Sequence, residues 1–192
     1  MDTDKPASRP VSAEWLMRAA AHYVERYATS VENLRRVLRR KVMRRALAAG
    51  DDPGRHEALI ETTLARLVDL GLVDDRSFAE GRAASLRRRG TSRSMTAAKL
   101  RQKGVDGEMI NEVLAEDETD EATAAFAYAR RRRLGPFRLR QRAERRDKDV
   151  AAMVRAGHAY GHAVAVIDGS GDRFGEDASG DERHIGPVEP ER

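Results

Sequence analysis

The sequence predicts an all-α protein assembled from small helical units. Ala, Arg, Leu and Glu dominate the chain, and all four are strong helix formers. Apolar residues recur at spacings of three and four in one segment after another, which is the period of an amphipathic helix. Aromatic residues make up 5% of the chain and charged residues 35%, so several units with thin cores are favoured over one large core.

Three helices are predicted in the first part of the chain. The first follows the apolar period that begins at Ala13. The second is expected to begin after Thr29, as an N-cap, with Glu32 completing a capping box. The third starts at residues 52–53, where an aspartate N-cap precedes a first-turn proline, and it ends at Gly71.

The same order of helices is predicted again after Gly71. The aspartates at 74–75 start a helix that stops at Gly90. The next helix runs from about Ser94 to Lys103, and Asp106 caps a short third helix. These boundaries rest on cap residues and on glycines that follow the last apolar turn.

A third set of helices is predicted before the C-terminal tail. Thr119 is expected to open a helix that continues to Arg133, and the Gly-Pro pair at 135–136 breaks it. Two further helices are predicted over about residues 145–156 and 160–167. The chain is therefore expected to contain nine helices in groups of three.

A fixed offset of 53 residues relates the second group to the third. It places Leu100 on Met153, Gly104 on Gly157 and Val113 on Val166. We therefore expect three tandem three-helix repeats, stacked into an elongated, curved helical rod. The expected domains are a disordered N-terminus (1–12), the first (13–73), second (74–116) and third (117–168) repeats, and a disordered acidic tail (169–192).

Charge is distributed unevenly along the chain. The net charge of +4 combines a tail of −4 over residues 169–192 with a body of +8 over residues 13–168. A basic body with an acidic tail is typical of a protein with a polyanionic partner, although an arginine-rich solvated surface would give the same composition.

Basic residues form one cluster in each repeat. Residues 35–45 hold seven basic residues in eleven, residues 82–103 contain no acid, and residues 130–148 hold ten basic residues against Glu144 and Asp147. Stacked repeats would align these clusters into a basic stripe, which suits a phosphate backbone or an acidic protein groove.

Several kinds of chemistry lack their sequence signals. The chain contains no cysteine, which excludes disulfides and thiol catalysis. No phosphate-binding glycine loop is present, and His158 and His162 have the i,i+4 spacing of metal ligands without an obvious third ligand. We therefore expect a protein that is not an enzyme and uses no metal or cofactor. No membrane span or signal peptide is recognised, so a cytoplasmic protein is expected.

Two segments in the second repeat resemble a known family. Gly71-Leu-Val-Asp-Asp-Arg-Ser-Phe-Ala-Glu80 is followed by Leu100-Arg-Gln-Lys-Gly-Val105. This pair is similar to the signature of the RecX family of bacterial recombination regulators. The chain differs from the pattern at Leu72, where the family has an aromatic residue, and at Ala156, where the third repeat lacks the lysine of the Lys-Gly pair.

The resemblance implies a regulator that binds the filament of the RecA recombinase on DNA. Family members typically restrain ATP hydrolysis, strand exchange and co-protease activity by RecA, so the resemblance places this chain in DNA repair and recombination and in the SOS response. It implies that the basic stripe faces the filament, with single- or double-stranded DNA as a further contact, and we expect a monomer. The predicted partner-binding residues are Arg82, Arg87, Arg88, Arg89, Arg93, Lys99, Arg101 and Lys103, supported by Arg39, Arg40, Arg130, Arg131, Arg132 and Arg133.

Two other functions stay open at the sequence level. A direct DNA-binding protein of the transcriptional regulator kind could also use short helices with tight turns, although Gln102 is the main group suited to base readout in the helix from Ser94 to Lys103. A helical scaffold would bind partners through apolar grooves. The tail is a separate hypothesis: it could compete with a partner for the basic stripe.

Overall fold

A computed structural model describes residues 10–169 of the chain, and the all-α prediction is confirmed there. The described residues form nine α-helices and two short 3₁₀ turns, at Pro53–His56 and Gly135–Phe137. None of these helices combines the length and the hydropathy needed to cross a lipid bilayer. The helices are α1 (Ala13–Val24), α2 (Val31–Ala48), α3 (Glu57–Asp69), α4 (Asp75–Arg88), α5 (Arg93–Gln102), α6 (Gly107–Ala115), α7 (Glu121–Arg132), α8 (Arg142–Arg155) and α9 (Tyr160–Asp168).

The described residues divide into two compact units, with the boundary at Phe78 and Ala79 inside α4. The first unit contains α1, α2 and α3 around one apolar core. Its fully buried side chains include Leu16, Leu34 and Leu67, one from each helix. Each of these three helices therefore contributes an apolar face to a shared core.

The start of α2 differs from the prediction. The side chain of Ser30, not Thr29, caps the helix by accepting a hydrogen bond of 3.1 Å from the Asn33 amide. Thr29 is buried and accepts a hydrogen bond from the Asn33 side chain instead. The predicted capping box is also wrong, because the Glu32 carboxylate binds Arg35 and Arg36.

The two aspartates at 74–75 have different roles. Asp74 accepts a hydrogen bond of 2.6 Å from the Ser77 amide, which confirms the predicted cap of α4. Asp75 lies in the first turn of α4, and its carboxylate accepts a hydrogen bond of 2.7 Å from the Val31 amide. The Asp75 carboxylate therefore satisfies a free donor at the start of α2 and ties the first turn of α4 to it.

The second unit contains most of α4 and the helices from α5 to α9. The residues buried in α7, α8 and α9 share one core around Ala125, Met153 and Ile167. Three predicted starts shift by one to three residues. Ser92 caps α5, which begins at Arg93 instead of about Ser94. Asp120 caps α7 in place of Thr119, and α8 begins at Arg142 instead of about residue 145.

Glycine contacts join the second and third repeats inside this unit. Gly90 has φ +80° and lies so close to α7 that an added Cβ would overlap the Tyr128 amide nitrogen. Gly157 has φ +87° and lies against the hydroxyls of Ser92 and Ser94 at the start of α5. Because each contact needs both a left-handed backbone and no side chain, only glycine fits these positions.

The ordered region begins slightly earlier than predicted at its N-terminal end. Ser12, placed in the disordered N-terminus by the prediction, caps α1 by accepting a hydrogen bond of 3.3 Å from the Trp15 amide. The predictions for residues 1–9 and 170–192 lie outside the described residues. The repeat boundaries and the curved rod stay predictions.

Candidate partner-binding surface

Arg87, one of the predicted partner-binding residues, is buried and has a structural role. Its side chain is 0% exposed, and Nε donates a hydrogen bond of 2.7 Å to Asp117. The other guanidinium nitrogens bind the carbonyl oxygens of Thr91 and Thr119, and Nη1 lies 2.9 Å from Glu121. The prediction for Arg87 is wrong, because this guanidinium cannot reach a partner while the unit is folded.

Arg88 and Arg89, the next two residues, face outward. Both side chains are exposed, and neither forms an ion pair within residues 10–169. Arg82, two turns earlier on α4, is half-buried. At the C-terminal end of α4, Arg87 is therefore structural, whereas Arg88 and Arg89 are available to a partner.

The basic residues of α5 divide in the same way. Arg93 donates a hydrogen bond of 3.2 Å to the Asp117 carbonyl, so it contributes to the linker contact that Arg87 makes. Arg101 is exposed, whereas Lys99 and Lys103 are half-buried and have interactions within the chain. Arg101 is the clearest candidate on α5 for a partner contact.

Four consecutive arginines lie at the end of α7, and one of them contacts a residue of the Gly90 packing contact. Arg130, Arg131, Arg132 and Arg133 are all exposed. Arg131 lies over the Tyr128 ring at 5.9 Å from its centroid, and Tyr128 is the residue against which Gly90 packs. The fold of the second unit thus brings the end of α4 and the end of α7 to the same packing contact.

The first unit neutralises much of its basic cluster internally. Arg35 binds both Glu32 and Glu61, and Arg39 binds Glu57. The Arg35 guanidinium holds the pKa of the Glu61 carboxyl below its usual range. Arg39 therefore already has a carboxylate partner, and the absence of acids between residues 35 and 45 does not mean that these arginines are unpaired. Arg40 is exposed and has no ion pair within the described part of the chain.

The third repeat also uses arginines to hold its own fold. The buried carboxylate of Asp149 accepts two hydrogen bonds from Arg138, at 2.9 and 2.7 Å, and one from the Gly135 amide. Burial alone would raise the pKa of Asp149, but these hydrogen bonds outweigh it and keep that pKa below its usual value. Arg146 binds Asp168 in the same manner. The basic run at 130–148 thus contains structural residues that sequence spacing alone does not separate from the exposed ones.

Acidic residues occupy the outer face of α6, the helix that follows the tight turn after α5. Glu108, Glu112 and Glu116, spaced by four residues along α6 and at its C-cap, are all exposed. In a helix-turn-helix protein the helix after the turn enters the major groove of DNA. The helix α6 also contains no lysine or arginine, the residues that contact phosphates, so this arrangement disfavours DNA recognition through α6.

Two named relatives can be aligned with most of the chain. It is 43% identical over 164 residues to "Regulatory protein RecX" of Myxococcus xanthus, an alignment that covers 83% of this chain and 88% of the relative. The chain belongs to the RecX family. A second RecX relative, from Agrobacterium fabrum, is 30% identical over 164 residues and is covered to 86%.

The RecX signature is concentrated in the second repeat. The family model described as "RecX, second three-helix domain" matches residues 74–114, which span α4, α5 and α6. A RecX relative from a Mycobacterium strain is 42% identical over 84 residues, 42% of this chain and 46% of the relative. No solved structure matches the chain significantly. The family is one of regulatory proteins, and the buried Arg87 lies inside its matched domain.

Proposed function

We propose that this protein binds the RecA filament on DNA and restrains ATP hydrolysis, strand exchange and co-protease activity by RecA. In this proposal it acts in the cytoplasm, by binding and not by catalysis, with no cofactor. Membership of a family of regulatory proteins supports the proposal. The structural observation that carries it is the set of exposed arginines in the second unit that have no carboxylate partner within residues 10–169.

The revised candidate surface is smaller than the sequence predicts. It consists of the exposed arginines at the ends of α4 and α7 and on α5. Arg87 is removed because it is buried, and Arg39 is demoted because Glu57 already binds it. The members of this surface are Arg88, Arg89, Arg101, Arg130, Arg131, Arg132 and Arg133.

Exposed cations without internal partners suit a partner that presents anions in a regular array. A nucleoprotein filament offers phosphates and carboxylates together, and electrostatic attraction to such a surface speeds encounter and weakens as salt is added. Direct recognition of duplex DNA is the competing function, and the acidic outer face of α6 argues against it.

The deciding experiment measures ATP hydrolysis by the cognate RecA on single-stranded DNA while this protein is titrated in. We expect a dose-dependent fall in rate at substoichiometric or equimolar ratios. Binding to a naked duplex of the same length is measured in parallel. An unchanged hydrolysis rate together with tight duplex binding would replace the proposal with the DNA-binding function.

A further inference from the structure

The connection between α7 and α8 presents a leucine to solvent. Leu139 is 91% exposed, the highest exposure among the large apolar side chains of the described residues. Its neighbours are Arg138 and Arg140. A single exposed leucine is ordinary on a protein surface, so its surroundings decide whether it has a role.

The backbone that leads to Leu139 is held in place. Gly135 has φ +52° and packs against Ile167, and its amide donates to the buried carboxylate of Asp149. The same carboxylate binds Arg138, the residue immediately before Leu139, through two nitrogens. An ion pair with two parallel hydrogen bonds fixes direction as well as distance. Leu139 therefore extends from a fixed base.

The connection between α7 and α8 is longer than the equivalent connection in the second repeat. Four residues, 89–92, join α4 to α5, whereas nine residues, 133–141, join α7 to α8. The long connection also begins and ends with non-glycine residues in the left-handed region, Arg133 at φ 54° and Gln141 at φ 56°. Such conformations are unfavourable for these residues and are found disproportionately at functional sites.

The charges around Leu139 indicate the kind of surface that it fits. Arg140 is exposed and has no ion pair in residues 10–169. The Arg142 guanidinium donates hydrogen bonds to the carbonyl oxygens of Ile167 and Gly169, and its charge helps to lower the pKa of the Asp168 carboxyl. Arg142 is therefore used within the fold, which leaves Arg140 as the arginine beside Leu139 without an ion pair in the described residues. The aromatic ring in this segment, Phe137, packs edge-on against Phe126 and is not presented for stacking on a base.

We propose that residues 138–142 form an anchor in which Leu139 enters an apolar pocket on a protein partner while Arg140 meets an acidic residue at the rim of the pocket. An apolar side chain gains by leaving water for a pocket, and central apolar anchors surrounded by charged contacts carry much of the energy of protein interfaces. The partner in this proposal is the RecA protein of the filament, so the inference rests on the proposed function and deepens it.

The test compares Leu139→Asp with Leu47→Asp in the full chain. Leu47 is an exposed leucine at the end of α2, at 63% exposure, and serves as the matched control. Binding of each labelled variant to RecA filaments on single-stranded DNA is measured by fluorescence anisotropy, and binding to the same DNA without RecA is measured alongside. Leu139→Met, which keeps an apolar side chain of similar size, is the rescue variant.

We expect Leu139→Asp to weaken filament binding roughly tenfold or more, with Leu47→Asp and Leu139→Met close to the unmodified chain. Equal binding by the two aspartate variants would overturn the anchor and leave the proposed function standing. An equal loss on naked DNA would show that Leu139 enters nucleic acid, which overturns the protein pocket. If the unmodified chain does not bind the filament, both the anchor and the proposed function fail.

Discussion

Arg87 of α4 and Asp117 of the α6–α7 linker form a buried ion pair with Nε and Oδ2 2.7 Å apart. The pair joins the last turn of α4 to a segment thirty residues later. Two further carbonyl contacts and the nearby Glu121 satisfy most of the guanidinium donors. The end of α4 therefore holds the α6–α7 linker in place through Arg87.

Removing the Arg87 side chain should destabilise the protein strongly. Arg87→Ala leaves the Asp117 carboxylate buried without its cation, a change that typically costs about 3–5 kcal/mol. Arg88→Ala, at the exposed neighbouring position, should change the free energy of unfolding by less than about 0.5 kcal/mol. Urea unfolding followed by circular dichroism gives both values. Similar values for the two variants would contradict the structural role of Arg87.

Reversing the charge of Arg88 and Arg89 should weaken filament binding without unfolding the protein. Both side chains are exposed and unpaired in the described chain, so Arg88→Glu with Arg89→Glu leaves the core intact. Arg26→Glu with Arg66→Glu makes the same change in net charge at exposed positions of the first unit and is the control. Affinity for RecA filaments is measured at two salt concentrations. If both double variants lose affinity equally, net charge and not this surface drives binding.

Replacing Arg133 by glycine should stabilise the protein. Arg133 has φ 54° at the end of α7, where glycine is the usual residue and where Gly90 ends α4. Relief of the left-handed strain is worth about 1 kcal/mol. Arg132→Gly removes the same charge from the last helical turn and should destabilise by up to about 1 kcal/mol. Thermal melting of the two variants distinguishes them, and a lower melting temperature for Arg133→Gly would contradict the assignment of strain.

The stability of the second unit should fall as the pH drops below about 6.5. His158 is 2% exposed, and neither ring nitrogen has a hydrogen-bond partner among the described residues. Burial lowers the pKa of His158 from 6.5, and the charges of Arg87 and His162 reinforce this effect. The negative charge of Glu121 and the nearby Gly90 backbone, which does not reach hydrogen-bond geometry with the ring, offset the effect only in part. The unfolded chain therefore binds a proton at a pH where the folded chain does not. Stability is lost as the pH falls from 6.5 towards the folded pKa, by at most about 1.4 kcal/mol per pH unit.

The internal repeat supplies the variant that tests this pH dependence. The offset of 53 residues places His158 on Val105, a buried valine of the second repeat. His158→Val should flatten the curve of melting temperature against pH between 7 and 5, whereas His22→Ala, at an exposed position of α1, should leave it unchanged. A curve that stays equally steep in His158→Val would show that another group titrates.

The close contact at Gly90 should tolerate no side chain. Gly90→Ala places a Cβ against the Tyr128 amide nitrogen and the Ala124 carbonyl oxygen, neither of which can move without moving α7. Gly81→Ala lies inside α4, the helix that Gly90 follows, with nothing within 4 Å of the new Cβ, and should stabilise by about 0.5–1 kcal/mol. Opposite shifts in melting temperature are expected, and a gain in stability for Gly90→Ala would contradict the packing.

Local signals in the sequence predict the helices well because caps and stops act over a few residues. Asp106 caps α6 as predicted, and the glycines at 71, 90, 104 and 157 have positive φ where helices end. The caps of α2 and α7 lie one residue after the predicted threonines, because neighbouring threonine, serine and aspartate side chains can all act as caps.

The candidate surface could be predicted only in part, because burial and ion pairing depend on residues far apart in the chain. From the sequence, Arg87 is indistinguishable from the exposed Arg88 and Arg89 that follow it. Only the fold places Asp117 and Thr119 next to Arg87, because the segment before α7 turns back to the end of α4. Arg39 and Glu57 meet only because α2 and α3 pack together. The left-handed conformation of Arg133 has no sequence signal at all, since glycine is expected there.

The ion pairs of the first unit have a consequence for the number of small ions displaced on binding. A cation that docks on a phosphate releases condensed counterions, and each such contact steepens the fall of log affinity with log salt concentration. Arg35 and Arg39 already lie against the carboxylates of Glu61 and Glu57, so they would add little to that slope. The gradient should instead report the exposed arginines that have no carboxylate partner within residues 10–169, such as Arg40, Arg88 and Arg101.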